Sequence, residues 1–119
     1  MNVKLSLGQI NSTIGDFAGN STRIRDAAIR ARSEGAELIV FPELSLCGYP
    51  PMDLLDYEAF VEENITALRR LQQSLPPDIA VVVGYVDRTQ GSTGKSLQNV
   101  AAVLLNGEVV FRQAKRLLP

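Results

Sequence analysis

The stretch GAELIVFPELSLCGYPPMDLL, residues 35–55, carries the reading on which the fold turns. Residues 37–41 are a short stretch, apolar from Leu38 to Phe41, that stops at Pro42. Proline cannot donate to a strand ladder and disfavours helical geometry in the residue before it, so the run reads as a buried strand with a hard end. Gly35 marks where the preceding element stops, because glycine takes the left-handed conformation that closes a helix without steric cost. That element is predicted over residues 22–33. Ile24, Ala27, Ala28 and Ala31 share one face while Arg23, Arg25, Arg30 and Arg32 lie largely elsewhere, as in a surface helix packed on something flat. The loop NSTIGDFAGN precedes it, with Asn20 or Ser21 as the helix cap. Further upstream, Val3, Leu5 and Leu7 alternate with Lys4 and Ser6, the period of a half-buried strand running to about Gln9. Strand, helix and strand in this order imply a parallel crossover.

Beyond the stretch, Tyr49-Pro50-Pro51 is expected to be extended. A second helix is predicted over residues 56–74, where Phe60, Val61, Ile65, Leu68 and Leu71 recur at helical spacing, and Pro76 and Pro77 end it. Residues 79–85 are continuously apolar, as an inner strand covered on both faces would be. Residues 87–96 have no periodicity and read as a mobile surface loop. Residues 99–105 and 108–112 flank Asn106-Gly107, a strong hairpin signal because a type I′ turn needs positive φ at both central positions. Residues 113–119 are expected to leave the sheet, carrying Lys115 and Arg116. The fold class is therefore α/β, in one compact unit without repeat or linker.

At 119 residues the chain can bury one core, and 45% hydrophobic with 21% charged residues is ordinary for a soluble protein. A net charge of -1 provides no basic field for nucleic acid or anionic lipid, and no apolar run is long enough to cross a bilayer. The opening MNVKLSLGQINST lacks the apolar core of a secretion signal, and the single cysteine precludes an internal disulfide. The expectation is a cytoplasmic protein with neither nucleic-acid nor membrane partner. The absence of histidine removes Ser-His-Asp and Cys-His pairs and most zinc sites, leaving Asp, Glu, Lys or Tyr as general base. No glycine-rich phosphate loop is present, and no metal site is expected.

Within this frame Glu43 stands out. A buried, unpaired carboxylate is costly, so Glu43 reaches water, finds a cation, or is held for chemistry. It follows a strand that reads as parallel and central, and ligands in open α/β sheets bind at the carboxyl ends of strands. Read from the residues alone, it is either a reactive group or a rim carboxylate. Lys115 could approach it if the last strand lies alongside, and an amine beside a carboxylate divides oxyanion stabilisation from proton transfer; equally, it is a solvated charge next to Arg116. Cys47, without a histidine to activate it, reads as a structural filler. Tyr49 either lines a pocket or packs, and Asn99 reads as satisfying buried backbone groups.

FPELSLCGYPPMDLL, together with LGQINSTIGD near the start and NGEVVFRQAKRLLP at the end, resembles the nitrilase or carbon-nitrogen hydrolase superfamily. GYPPxDLL after FPEL, and KRLLP after the hairpin, are similar to the glutaminase branch found in glutamine-dependent NAD synthetases. The resemblance implies an αββα sandwich, of which residues 1–119 form the N-terminal part. It also implies a Glu-Lys-Cys triad, with Glu43 as general base, its pKa raised by apolar walls and held in range by the lysine. Lys115 would hold the oxyanion and Tyr49 would lie in the glutamine pocket. The nucleophilic cysteine and the synthetase domain are expected beyond residue 119, so residues 1–119 alone are expected to be inactive. The implied substrate is glutamine. Nicotinic acid adenine dinucleotide, ATP and Mg belong to the synthetase domain, no cofactor belongs to this segment, and a homo-oligomer is implied. The alternatives are a stand-alone amidase or nitrilase and a non-catalytic interaction module. With two helices for two apolar strand faces, an exposed apolar patch or association is expected.

Overall fold

Three strands lie parallel because helices return the chain to the same end of the sheet between them. In the computed structural model, which describes residues 3–89 and 97–115, β1 (Leu5–Leu7) is followed by α1 (Phe17–Ser33) and β2 (Leu38–Val40). A short 3-10 turn (Met52–Asp56) and α2 (Glu58–Ser74) then lead to β3 (Ala80–Arg88). β4 (Leu97–Leu105) and β5 (Glu108–Ala114) complete a five-stranded sheet in the order β1-β2-β3-β4-β5. β1, β2 and β3 pair in parallel, and the last two strands add antiparallel. The hairpin turn is the one expected, with φ 50° at Asn106 and 82° at Gly107.

Several boundaries differ from the sequence expectations. α1 begins at Phe17, not residue 22, because Asp16 is its cap and accepts a hydrogen bond from the Gly19 amide at 3.0 Å. Asn20, expected at the cap, is instead buried within the helix. It donates to the carbonyls of Thr13 (2.8 Å) and Leu46 (3.0 Å) and accepts from the Thr13 amide (2.8 Å), tying two loops together. The Tyr49–Pro50 peptide is cis. Pro51 is helical rather than extended, so the chain enters the 3-10 turn directly and α2 starts two residues late, at Glu58. β3 runs on to Arg88 and β5 to Ala114, past the predicted ends. Most of the loop expected over residues 87–96, and Arg116 with the other residues of the 116–119 tail, lie outside the described residues.

The sheet has one covered and one open face. Ile39, Val81, Val83, Val100, Ala102 and Leu104 are buried toward the helices, together with Ile24, Ala28, Leu68 and Leu71. On the opposite face Leu5 (54% exposed), Leu7 (66%) and Phe111 (60%) meet solvent. β3 is thus an inner strand, but it is covered by helices on one side only, and the expected apolar patch is present. No helix among the described residues is long and apolar enough to cross a membrane.

β2 is only three residues long, so β3 beyond Val82 needs other partners for its backbone. The Phe41 amide donates to Val82 O (2.9 Å) and the Leu46 amide to Gly84 O (3.2 Å). One turn further on, the buried Asn64 side chain donates to Val86 O and accepts from Val86 N, replacing a missing strand. Asn64→Leu leaves both backbone groups buried and unpaired. It is expected to cost about 2–3 kcal/mol, read as a lower urea midpoint at unchanged slope.

Candidate active site

The Phe41–Val82 and Leu46–Gly84 hydrogen bonds carry the chain off the carboxyl end of β2 and across the middle of β3. Pro42 ends the strand, and Glu43 and Leu44 pass directly over Gly84. A Cβ at Gly84 would lie 2.4 Å from Leu44 N and 3.2 Å from Glu43 Cα, so the crossing requires glycine beneath it. Leu44 turns with φ 51°, a left-handed conformation that a leucine adopts only when its surroundings enforce it. Its side chain is buried at 5% exposure, which supplies the anchor. Glu43 therefore projects from a backbone fixed on both sides.

β5 brings the second residue. Arg112 donates to Asp87 Oδ2 at 2.7 Å, bracing β5 against β3 across β4. The Lys115 amide donates to Asn99 O at 2.7 Å just past the end of β5. Lys115 Nζ then lies 3.0 Å from Glu43 Oε1, a hydrogen-bonded ion pair between residues 72 positions apart. The Asn99 side-chain amide donates to the same oxygen. Asn99 is therefore not engaged with buried backbone through its side chain, as the sequence suggested, but with the carboxylate.

Glu43, Asn99 and Lys115 line a cleft of about 340 Å³ on the open face of the sheet, just past the carboxyl end of β2, walled by Val40, Pro42 and Val82 among others. A larger groove, about 700 Å³, runs between α1 and α2, away from the strand ends on which these groups converge. In the cleft the Glu43 pKa is lowered, not raised as the sequence implied. The hydrogen bond from Lys115 is the main cause; desolvation opposes it and Asn99 adds to it. Exposure keeps desolvation from outweighing that hydrogen bond. The Glu43 side chain retains 43% of its accessible surface on the open face of the sheet, so the apolar walls do not strip its water.

The other expected residues fall elsewhere. Tyr49 is 65% exposed and does not line this cleft. Cys47 is fully buried and its thiol faces the carbonyls of Leu44 and Gly48. Burial pushes its pKa up to about 11, which leaves it protonated and inert at neutral pH, as a structural cysteine. Gly84, Leu44 and Asn99 went unrecognised as parts of the site. Nothing in the local sequence at 84 or 99 reveals which side chains the topology lays against them.

An α/β layer with an acid and an amine meeting at the carboxyl ends of its parallel strands defines the general class. The chain belongs to the carbon-nitrogen hydrolase family, whose sequence model it matches over residues 4–119. It is 41% identical over 118 residues to the glutamine-dependent NAD(+) synthetase of Synechocystis sp., covering 97% of this chain and 21% of that protein. Among solved structures, the glutamine-dependent NAD+ synthetase of Acinetobacter baumannii, in complex with ADP, superposes with a TM-score of 0.87 at 33% identity, covering 98% of this chain and 21% of that one. An amidase from Nesterenkonia sp. matches with a TM-score of 0.78 at 27% identity, covering 98% of this chain and 44% of that one. One variant of that amidase carries the acetamide moiety of fluoroacetamide covalently at its active-site cysteine. This chain thus spans about one fifth of the length of the synthetases it matches.

Proposed function

We propose that this chain supplies the base and the oxyanion-stabilising amine of a glutaminase, and that it forms the first part of a carbon-nitrogen hydrolase domain continuing beyond residue 119. The observation that carries the reading is the 3.0 Å contact between Lys115 Nζ and Glu43 Oε1 at the strand ends. A carboxylate held ionised accepts the proton of a thiol as its sulfur attacks the amide carbon of glutamine. Lys115, with two donors left among the described residues after pairing Glu43, holds the developing oxyanion. Protonated Glu43 then gives its proton to the departing ammonia, leaving a thioester. Water attacks the thioester with Glu43 again as base, and glutamate is released. The nucleophile is assigned to a cysteine outside these residues, since the burial and raised pKa of Cys47 unfit it for attack.

The similarity to glutamine-dependent NAD synthetases supports glutamine as substrate, with the ammonia consumed in amidation of nicotinic acid adenine dinucleotide. ATP and Mg belong to that second reaction, and to a different part of the protein. Tyr49 remains the proposed glutamine-pocket residue, reached once the rest of the domain folds over the open sheet face. An oligomer in the cytoplasm completes the reading. The amidase likeness keeps a second reading alive, hydrolysis of a small aliphatic amide by a free-standing enzyme. The test is a substrate panel with the full-length gene product. Glutamate release from glutamine, coupled to ATP-dependent amidation, is expected; preferred hydrolysis of acetamide without ATP-coupled amidation would overturn it. Residues 1–119 alone are expected to hydrolyse neither.

A further inference from the structure

Glu43 has two oxygens, and the site treats them differently. Both side-chain donors, Lys115 Nζ and Asn99 Nδ2, fall on Oε1, leaving Oε2 clear of both. Asn99 also accepts the Lys115 amide hydrogen bond at 2.7 Å through its own carbonyl. One residue at the start of β4 therefore fixes the carboxylate with its side chain and the lysine with its main chain. Glutamate rotates freely about its terminal bond, and a single lysine on a flexible stem does not stop it. Two donors on one oxygen from different segments, β4 and the residue that follows β5, do stop it, because rotation would break both bonds together. We propose that Asn99 is a positioning residue that locks the Glu43 carboxylate so that Oε2 is the oxygen that takes and returns the proton during amide hydrolysis.

This rests on the glutaminase reading and assigns one further residue to it. Lys115 and Glu43 are the charged groups lining the cleft among the described residues, and the walls from β2, β3 and β4 are otherwise uncharged. Removing the Asn99 amide takes away a donor that favours the ionised carboxylate, so the Glu43 pKa rises. A base with a raised pKa loses its ionised form at higher pH, and the acid limb of kcat/KM moves upward.

The experiment compares Asn99→Leu and Asn99→Asp with the parent in the full-length gene product. Each is assayed for glutamine hydrolysis across pH and for turnover on free ammonia. The main-chain bond to Lys115 survives both substitutions, so they probe the side-chain amide alone. The expected result is a loss of kcat for glutamine of roughly tenfold to hundredfold with an acid limb shifted to higher pH, further in Asn99→Asp because its carboxylate repels that of Glu43. Ammonia-supported turnover stays at the parent level and shows that the protein is folded. A loss with an unmoved acid limb, a loss on ammonia as well as glutamine, or no loss would overturn the assignment. Glu43→Gln run alongside separates the two levels. If it hydrolyses glutamine normally, the glutaminase reading itself falls, whereas its inactivity with unaffected Asn99 variants sinks only the positioning role.

Discussion

Glu43→Gln in the full-length gene product is expected to lower kcat/KM for glutamine on the order of a thousandfold, while turnover on free ammonia stays near the parent level. The substitution keeps the side chain's size and an oxygen for Lys115, so the local geometry survives. It removes the capacity to accept a proton, which general-base catalysis converts into factors of about 10²–10⁴. Free ammonia bypasses the amide and needs no base here. Because the side chain is 43% exposed and anchored by the chain on either side, the substitution leaves the fold intact. Loss of both activities would show that Glu43 serves structure. The pH dependence follows the same logic. The Lys115 hydrogen bond holds the Glu43 pKa below its ordinary value of 4.5, so the pair's contribution to stability is present above the unfolded-state pKa and fades as pH falls through the lower folded one.

The second large effect is expected at Gly84, a position remote in sequence from both charged groups. In Gly84→Ala the new methyl group meets Leu44 N at 2.4 Å and Glu43 C at 3.1 Å. These are backbone atoms and cannot swing aside, so the 43–44 crossing must lift. A displacement of about 1 Å in a catalytic group costs on the order of a hundredfold in rate. Overpacking at such a contact costs a further 1–3 kcal/mol of stability. Assays of glutamine turnover and urea unfolding on the same preparation read both. Parent-like turnover would mean that the crossing tolerates displacement and that Glu43 is not held by β3.

The strand ending at Pro42 and the hairpin at Asn106-Gly107 were legible because each depends on a residue with a strong local preference. For the pairing of Glu43 with Lys115 the residues alone left two alternatives open, an approach if the last strand lay alongside or a solvated charge, and the resemblance favoured the first, since no local rule joins residues 72 positions apart. Asn99 and Gly84 escaped for a related reason. Their roles depend on what the topology lays beside them, and an asparagine opening an apolar strand looks the same whether it meets backbone or a carboxylate. The start of α1 differs because Asn20 and Ser21 both have cap chemistry in sequence, and only the cap bond of Asp16 and the buried hydrogen bonds of Asn20 show that the helix begins earlier. Apolar neighbours of Glu43 in sequence imply walls that raise its pKa, whereas the Lys115 hydrogen bond lowers it and the open sheet face admits water.

Glu43 and Lys115 must act as one unit for this chemistry, and a double-mutant cycle on glutamine hydrolysis measures that directly. Glu43→Gln, Lys115→Met and the double variant are compared in kcat/KM. Residues that act together are strongly non-additive, so the double variant should fall within about tenfold of the more damaged single one. Losses that multiply in full would contradict the pairing and leave two charges that happen to touch.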